Sequence, residues 1–426
     1  MYIISSNRLT TIILAILFLV SCSSVQNTIP PHELVVSEQF KNPIGFYDAT
    51  PSFSWKLPQH KNIKKQTAYS IVVASKPELL PNNADLWKSG KVESEQTLFV
   101  KYEGEKLSSR QKVYWQLKFW DQDKKSSAWS EVANFELGLL HNSDWQAKWI
   151  SLPKVDKAKS PKTNKTSYKV QYLRNEFTLD SKIESARLYI TAKGLFEAQI
   201  NGKKVGDDVM APGWTPYNKR IETLTYDVID HLQDGSNAIG ISLAEGWYAG
   251  RLMLRGYPKV SPKVMCQLEV KYTNGDVKTF ITDESWKATQ EGPIVYAGIY
   301  DGEQYDARKE QKSWSLTSFD DANWQKVVTE DIDTQISLTP KRHNTVKSVE
   351  ELTPIAITEI DKGVVIFDMG QNMVGVPLIK VPMDKDGTLK IRFAEMLQQD
   401  GRMYTKNYRG AVSTDYYTAK EDGQIE

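Results

Sequence analysis

The sequence predicts an all-β chain made of tandem β-sandwiches. Three observations carry that expectation. Apolar and polar residues alternate in short runs, the period of a strand with one buried face. Turn signals separate those runs, above all Asn201-Gly202 and Asn274-Gly275. No stretch shows the 3.6-residue apolar period of a long amphipathic helix. Composition agrees, because aromatic residues make up 11% of the 426, with 12 Trp and 20 Tyr. Such rings suit the pleated surface of a sheet. They also suit carbohydrate, whose flat apolar faces stack on rings, although core packing accounts for most rings in any fold.

The first residues form a targeting segment and stand outside the fold. Arg8 supplies a positive charge, an apolar run extends from Ile12 to Val20, and Leu19-Val20-Ser21-Cys22 closes it. A small residue before a cysteine at the end of a short apolar run reads as a lipoprotein signal over residues 1–21. Cleavage would leave Cys22 at the terminus, carrying diacylglycerol and tying the protein to the outer membrane or cell envelope. The run is too short to span a bilayer, whereas acyl chains hold by about 0.8 kcal/mol per buried CH₂. Residues 22–33, polar with Pro30-Pro31, then read as a tether.

Residues 34–140 read as a fibronectin III- or immunoglobulin-like sandwich. Tyr69–Ala74 is a buried strand, and Val113, Trp115, Leu117 and Phe119 share one strand face. Asp121-Gln122-Asp123 makes a turn, and a last strand is expected from Ala128 to Phe135. Residues 154–168, rich in lysine and without an apolar period, are expected to be a surface loop.

Residues 141–345 read as a jelly roll. Arg187–Thr191 alternates cleanly, and Phe196–Ile200 runs into the Asn201-Gly202 turn. The strands 268–272 and 277–281 flank Asn274-Gly275, and Val228–Leu232 suits a helical turn. Residues 346–426 hold strands at Val364–Asp368, Leu389–Ala394 and Thr414–Ala419, too few for a closed sandwich. After Asp422-Gly423 a further strand opens with nothing to continue it. The expectation here is an interrupted domain with an unpaired edge.

The balance of 54 basic and 53 acidic residues, net +1, argues against a nucleic-acid partner. Besides Cys22 there is only Cys266, in an alternating apolar run, so it reads as a buried hydrophobe. The five histidines show no metal-ligand spacing.

Several motifs resemble one family. They are Asn201–Asp207, Ala211-Pro212-Gly213-Trp214-Thr215-Pro216-Tyr217, Gly246–Arg251, Tyr300–Arg308, Phe367–Gly375 and Arg392–Leu397. Asp85-Leu86-Trp87, Trp120–Asp123 and Ser127–Glu131 add to them. Together they resemble the bacterial α-L-rhamnosidases, glycoside hydrolase family 78. The resemblance implies a galactose-binding-like jelly roll over residues 141–345 and an incomplete concanavalin-like sandwich over 346–426. It implies a rhamnose-containing glycan as substrate, hydrolysed with inversion by two carboxyl groups roughly 6.5–9.5 Å apart. In the family both belong to an α/α toroid that follows the β-domains, so no catalytic residue is assigned within these 426. A separately encoded catalytic half that docks on these domains is one arrangement consistent with this.

The acidic clusters Asp207-Asp208, Asp283-Glu284, Asp301 with Glu303 and Asp306, and Asp320-Asp321 read as turn chemistry and ion pairing, for instance Asp306 with Arg308. Carbohydrate binding is a better supported role for the jelly roll. Its candidates are Asp207, Asp208, Trp214, Trp247, Tyr248 and Arg251. Carboxylates could take sugar hydroxyls or calcium, and the rings could stack. Arg251 works against a nearby cation. In the competing reading Trp214 and Trp247 pack the core and Arg251 pairs with an acid. A surface lipoprotein that binds rhamnose-containing carbohydrate without catalysis is the alternative to an enzyme part.

Overall fold

The period-two runs become strands nearly everywhere they occur. The computed structural model describes residues 29–37, 39–159, 166–252 and 260–425. The segment read as a signal, with Cys22, lies outside them. So do residues 160–165 of the lysine-rich stretch. The described residues form two compact units. One comprises the residues up to 39, 52–104 and 114–133, and the other comprises 40–51, 105–113 and the rest from 134.

In the first unit His32–Val36, Ser52–Lys56 and Val100–Lys101 form an antiparallel sheet. Gln66–Ala74 pairs with the strand Lys112–Asp121, and with the short strands at 87–88 and 92–93. Val113, Trp115, Leu117 and Phe119 are all fully buried, as the alternation predicts. Phe53 of the first sheet meets Trp115 of the second with ring centroids 4.4 Å apart. The buried indole of Trp55 donates to Gln66 Oε1 at 3.1 Å, so its polar atom is satisfied inside the core.

The last strand of this region is Ala133–Leu137, displaced from the expected Ala128–Phe135. The cause is local. The hydroxyls of Ser127 and Ser130 accept from the amides of Phe119 and Leu117, while their own amides donate to the carbonyls of those residues. Contacts recurring at the third residue replace a ladder that would recur at the second.

The second unit is centred on two sheets. One has the order Val328–Glu330, Trp149–Ser151, Lys263–Tyr272, Ile183–Lys193, Arg220–Asp227, Ser337–Pro340. The other has Lys203–Lys204, Leu195–Ile200, Gly235–Ala244, Gln171–Leu179, Lys287–Thr289, Gln325–Lys326. Leu188, Ile190 and Ala192 of the first meet Leu173, Ile239, Ile241 and Leu243 of the second in one buried cluster. Tyr189, on the opposite face of its strand, packs with Trp145, Trp149 and Met265. The first sheet is therefore covered on both sides.

Segments 40–51 and 105–113 cluster here although the sequence places them within its first sandwich. Gly45 explains part of this, since a Cβ there would lie 2.5 Å from Thr225 Oγ1. Arg110 reaches Glu269 at 2.7 Å, and Glu136 pairs with Arg187 at 2.6 Å. Cys266 is buried, and burial pushes its thiol well above the ordinary range.

Asn201 (φ 49°) and Gly202 (φ 78°) form the hairpin expected of them. In the 272–277 hairpin only Gly275 takes positive φ, so a longer turn replaces the two-residue type. Ile229–His231 makes the expected helical turn. The lysine-rich stretch differs from a plain loop, because Lys157–Lys159 and Thr166–Tyr168 pair as a ribbon, with Lys157 over the Tyr168 ring.

Beyond residue 345 the strands fall mostly as expected. Thr414–Thr418 pairs in parallel with Gly302–Asp306 and antiparallel with Thr388–Arg392, so one sheet joins residues on both sides of position 345. Gly423–Ile425 is paired antiparallel with Val381–Met383, which corrects the expectation of an unpaired edge there.

Candidate functional site

The site candidates lie on two turns of the jelly roll, one after the strand Gly235–Ala244 and one before the strand Arg220–Asp227. Gly235–Ala244 alternates its apolar residues inward until Glu245, and the helical turn Gly246–Ala249 follows at once. Gly246 has φ +49°, and a Cβ there would lie 2.7 Å from Leu195 Cγ. That close approach fixes where the turn starts, and Trp247 and Tyr248 that follow are half-buried.

The second turn carries Trp214. It is held by the Tyr217 hydroxyl on the Gly213 carbonyl (3.1 Å), by Lys341 Nζ on the Pro212 carbonyl (3.0 Å) and by the Thr215 hydroxyl on the Arg220 carbonyl (2.7 Å). Tyr217 also meets Tyr248 edge to face at 5.2 Å, locking one turn to the other.

The outcome is a flat aromatic surface. The Trp214 and Trp247 planes are parallel within 4°, with centroids 6.2 Å apart. Trp214 is 63% exposed. The core-packing alternative is overturned for Trp214, since a ring that open contributes little to a core. The reason is the loop, held by the Thr215 and Tyr217 hydroxyls and by Lys341 on its backbone carbonyls, which leaves the indole outside.

The acidic candidates are engaged. Asp207 pairs with Lys347 at 2.7 Å, and that contact holds its carboxyl below the usual range. Asp208 Oδ2 accepts from the Tyr226 hydroxyl at 2.6 Å. Its Oδ1 is buried without a hydrogen-bond partner. Lys341 is lowered by burial, against the raising influence of Glu222 and Asp208.

The lone Asp208 oxygen is the one feature that suits calcium. Two lysines already answer the charge of this pair, and no group of three or more His, Cys, Asp or Glu among the described residues could hold a metal. The residues as placed do not fit a calcium site.

Arg251 belongs to a different cluster. It pairs with buried Asp301 at 2.6 Å and donates to the Gly410 carbonyl at 2.7 Å. The alternative in which Arg251 pairs with an acid is therefore the observed one. Asp306 pairs with Arg308 at 2.8 Å, as the sequence suggests. Asp283 and Asp320 cap turns by accepting from the amides of Ser285 and Ala322.

Sequence reasoning missed Glu245 near this cluster and read Glu303 as turn chemistry and ion pairing, which its burial corrects. Glu245 is raised to about 7 by burial and by Asp301, although the Tyr168 amide and Ser167 oppose the shift. Glu303 is raised to about 7 by burial, then by Asp415 and Glu197. The signal for Glu245 was present, since the inward parity of Ile239, Ile241 and Leu243 continues to it. Tyr217 was also missed as a support, although it sits three residues from Trp214.

Known proteins align with this arrangement. Residues 31–141 match the family model described as Rha78A-like, N-terminal immunoglobulin domain. Residues 181–350 match the alpha-L-rhamnosidase N-terminal domain, and 358–426 the bacterial alpha-L-rhamnosidase concanavalin-like domain. An alpha-L-rhamnosidase of Formosa agariphila is 53% identical over 409 residues, covering 95% of this chain and 44% of that protein. The solved alpha-L-rhamnosidase of Dictyoglumus thermophilum superposes with a TM-score of 0.85 at 35% identity, over 94% of this chain and 45% of the other. That of Streptomyces avermitilis, complexed with L-rhamnose, has a TM-score of 0.85 at 27% identity, over 93% of this chain and 54% of the other. The chain thus spans about half the length of the relatives it matches. Through its N-terminal β-domains the chain belongs to the bacterial α-L-rhamnosidase family, glycoside hydrolase family 78.

Proposed function

We propose that the chain is the sugar-holding β-portion of an α-L-rhamnosidase, which releases terminal α-L-rhamnose from glycans by inverting hydrolysis. The catalytic acid and base of such a reaction flank the scissile bond. We assign neither to this chain, whose exposed site is built for stacking. Its part is to hold a rhamnose-containing glycan on the Trp214–Trp247 surface. The observation that carries this is the parallel indole pair with Trp214 open to solvent. Rings preset in this way need little ordering when a sugar docks. The solved relative bound to L-rhamnose supports the choice of sugar.

Titration of L-rhamnose and a rhamnosyl disaccharide, read by tryptophan fluorescence, tests this reading. Saturable quenching that disappears in Trp214→Ala is expected, with the same affinity in calcium and in chelator. Unchanged quenching in the variant would sink the proposed surface, and binding that requires calcium would show that the Asp207–Asp208 arrangement rebuilds around a metal.

The localisation proposed is the cell envelope, through a diacylglycerol on Cys22. The apolar run ahead of that residue supports it. Cys22→Ala should move the protein from the membrane fraction to the soluble one.

A further inference from the structure

Where the strand Gln171–Leu179 of one jelly-roll sheet faces Val277–Ile281 of the other, the sandwich opens into a hollow of about 190 Å³. Ile239, Cys266 and Leu268 reach it from the buried cluster between the sheets. Phe177 and Phe280 also line it, with ring centroids 4.5 Å apart. Buried Trp286 adds a further wall, and its indole N–H donates to the Ile281 carbonyl at 2.9 Å. That bond satisfies the ring's one polar atom and leaves the wall apolar.

Such a space is large for a protein core, whose side chains close on one another. An apolar cavity of roughly 150 Å³ stays dry and admits one benzene ring. The group that suits this hollow is therefore a single flat apolar ring.

Its mouth is polar. Glu176 and Ser285 are exposed there, and Asn175 and Asp283 are half-buried. The Asn175 amide donates to the Ser285 hydroxyl at 2.9 Å, and that hydroxyl donates to the Asp283 carboxylate. The relay uses one of the two amide hydrogens of Asn175 and, with the Ser285 amide, one oxygen of Asp283. Each of these side chains keeps capacity for a ligand hydroxyl.

A second hollow, of about 340 Å³, adjoins the first and shares Asn175, Glu176 and Ser285 with it. It adds Arg174, Lys287, Phe319 and Asp321. These charges answer one another, since Arg174 bonds to both Glu176 and Asp321, and Lys287 reaches Asp321 at 2.6 Å. The Trp314 and Leu316 carbonyls hold Arg174 further, at 2.9 and 2.8 Å, so this wall is set before a ligand arrives. Two cations and two carboxylates leave no surplus to attract an ion. Fixed polar groups beside an apolar pocket suit a neutral, hydroxylated ligand.

We infer that the joined hollows are a second small-molecule site of the jelly roll, one that takes a neutral aryl glycoside, with the aryl ring in the inner hollow and the sugar hydroxyls in the outer. None of the lining residues lies on the turns that carry Trp214 and Trp247. The inference goes beyond the rhamnose reading and stands or falls apart from it.

Phenyl β-D-glucopyranoside, which carries no rhamnose, is the probe. It is titrated into the full chain, and the methyl resonances of Ile239 and Leu268 are followed by nuclear magnetic resonance. Both are expected to shift to saturation, equally in the parent and in Trp214→Ala. Phenol should move the same methyls with an affinity at least tenfold weaker, and D-glucose alone should leave them in place. Methyls that stay put up to the solubility limit of the glycoside would overturn the inference. So would D-glucose that matches the glycoside, because the ring would then contribute nothing. Shifts lost in Trp214→Ala would assign the binding to the other surface, which also overturns it.

Ser285→Trp adds bulk at the shared rim, outside the core. It should abolish the glycoside shifts at an unchanged thermal midpoint. Shifts that persist in this variant overturn the site. Should the variant unfold, the three-ligand comparison on the parent chain decides the matter by itself.

Discussion

At the scale of single residues, exposure separates the proposed sugar-facing group from the structural ones. Trp214 stands in solvent, with its loop fixed by the hydrogen bonds of Thr215, Tyr217 and Lys341. Trp214→Ala should therefore leave stability within about 0.5 kcal/mol. It should weaken rhamnoside binding at least tenfold, about 1.4 kcal/mol. Fluorescence titration and a thermal melt together check both halves of that statement. Tyr226 is the contrasting case. Among the described residues its hydroxyl is the side-chain donor to Asp208, whose other oxygen lacks a hydrogen-bond partner there. Tyr226→Phe leaves a carboxylate without any such bond and should destabilise by about 1–3 kcal/mol. Urea unfolding reads that loss, and an unchanged midpoint would show that water serves Asp208 equally well.

Among the elements, the helical turn Gly246–Ala249 is the most sensitive. Its first residue combines a positive φ with contact to Leu195. Gly246→Val adds backbone strain of order 1–3 kcal/mol and a clash, which the four-residue turn relieves by moving. Trp247 and Tyr248 then leave Trp214 and Tyr217, so sugar binding should be lost while the far-ultraviolet spectrum of the strands persists. Elements of this kind also show how far the sequence can be read. The inward face Val113–Phe119 was legible because one strand and its neighbours decide it. The Asn201-Gly202 hairpin was legible because two residues decide it. The strand at Ala133–Leu137 was misplaced because the Ser127 and Ser130 hydroxyls substitute for ladder bonds, a competition that alternation does not record. The parallel pairing of Gly302–Asp306 with Thr414–Thr418 joins segments about a hundred residues apart, which no local period reveals. At the site, the aromatic residues were legible by type. Their parallel stacking depends on Tyr217 and Lys341 and was not.

At the scale of the whole molecule, Glu303 and Glu245 couple folding to pH. Both are pushed up to about 7, chiefly by burial, from an ordinary value of 4.5. An unfolded chain releases these protons near pH 4.5, whereas the folded one keeps them to about pH 7. Their favourable contribution is therefore complete below pH 4.5 and is withdrawn as pH rises to about 7, with no further loss above. Each unit of displacement corresponds to about 1.4 kcal/mol, so each group withdraws on the order of 3 kcal/mol. Asp306, Asp321 and Glu330 act in the opposite sense, since cationic partners lower them and they lend stability as pH rises through the acid range. A bare stability curve mixes both sets, and a difference against one variant separates them. Glu303→Gln keeps the shape of the protonated acid and removes its titration. The variant should match the parent near pH 4.5 and melt above it at pH 8, with the gap opening between those values. Parallel curves across that range would mean that Glu303 ionises in the folded protein as freely as in water, with Asp415 and Glu197 too well solvated to oppose it.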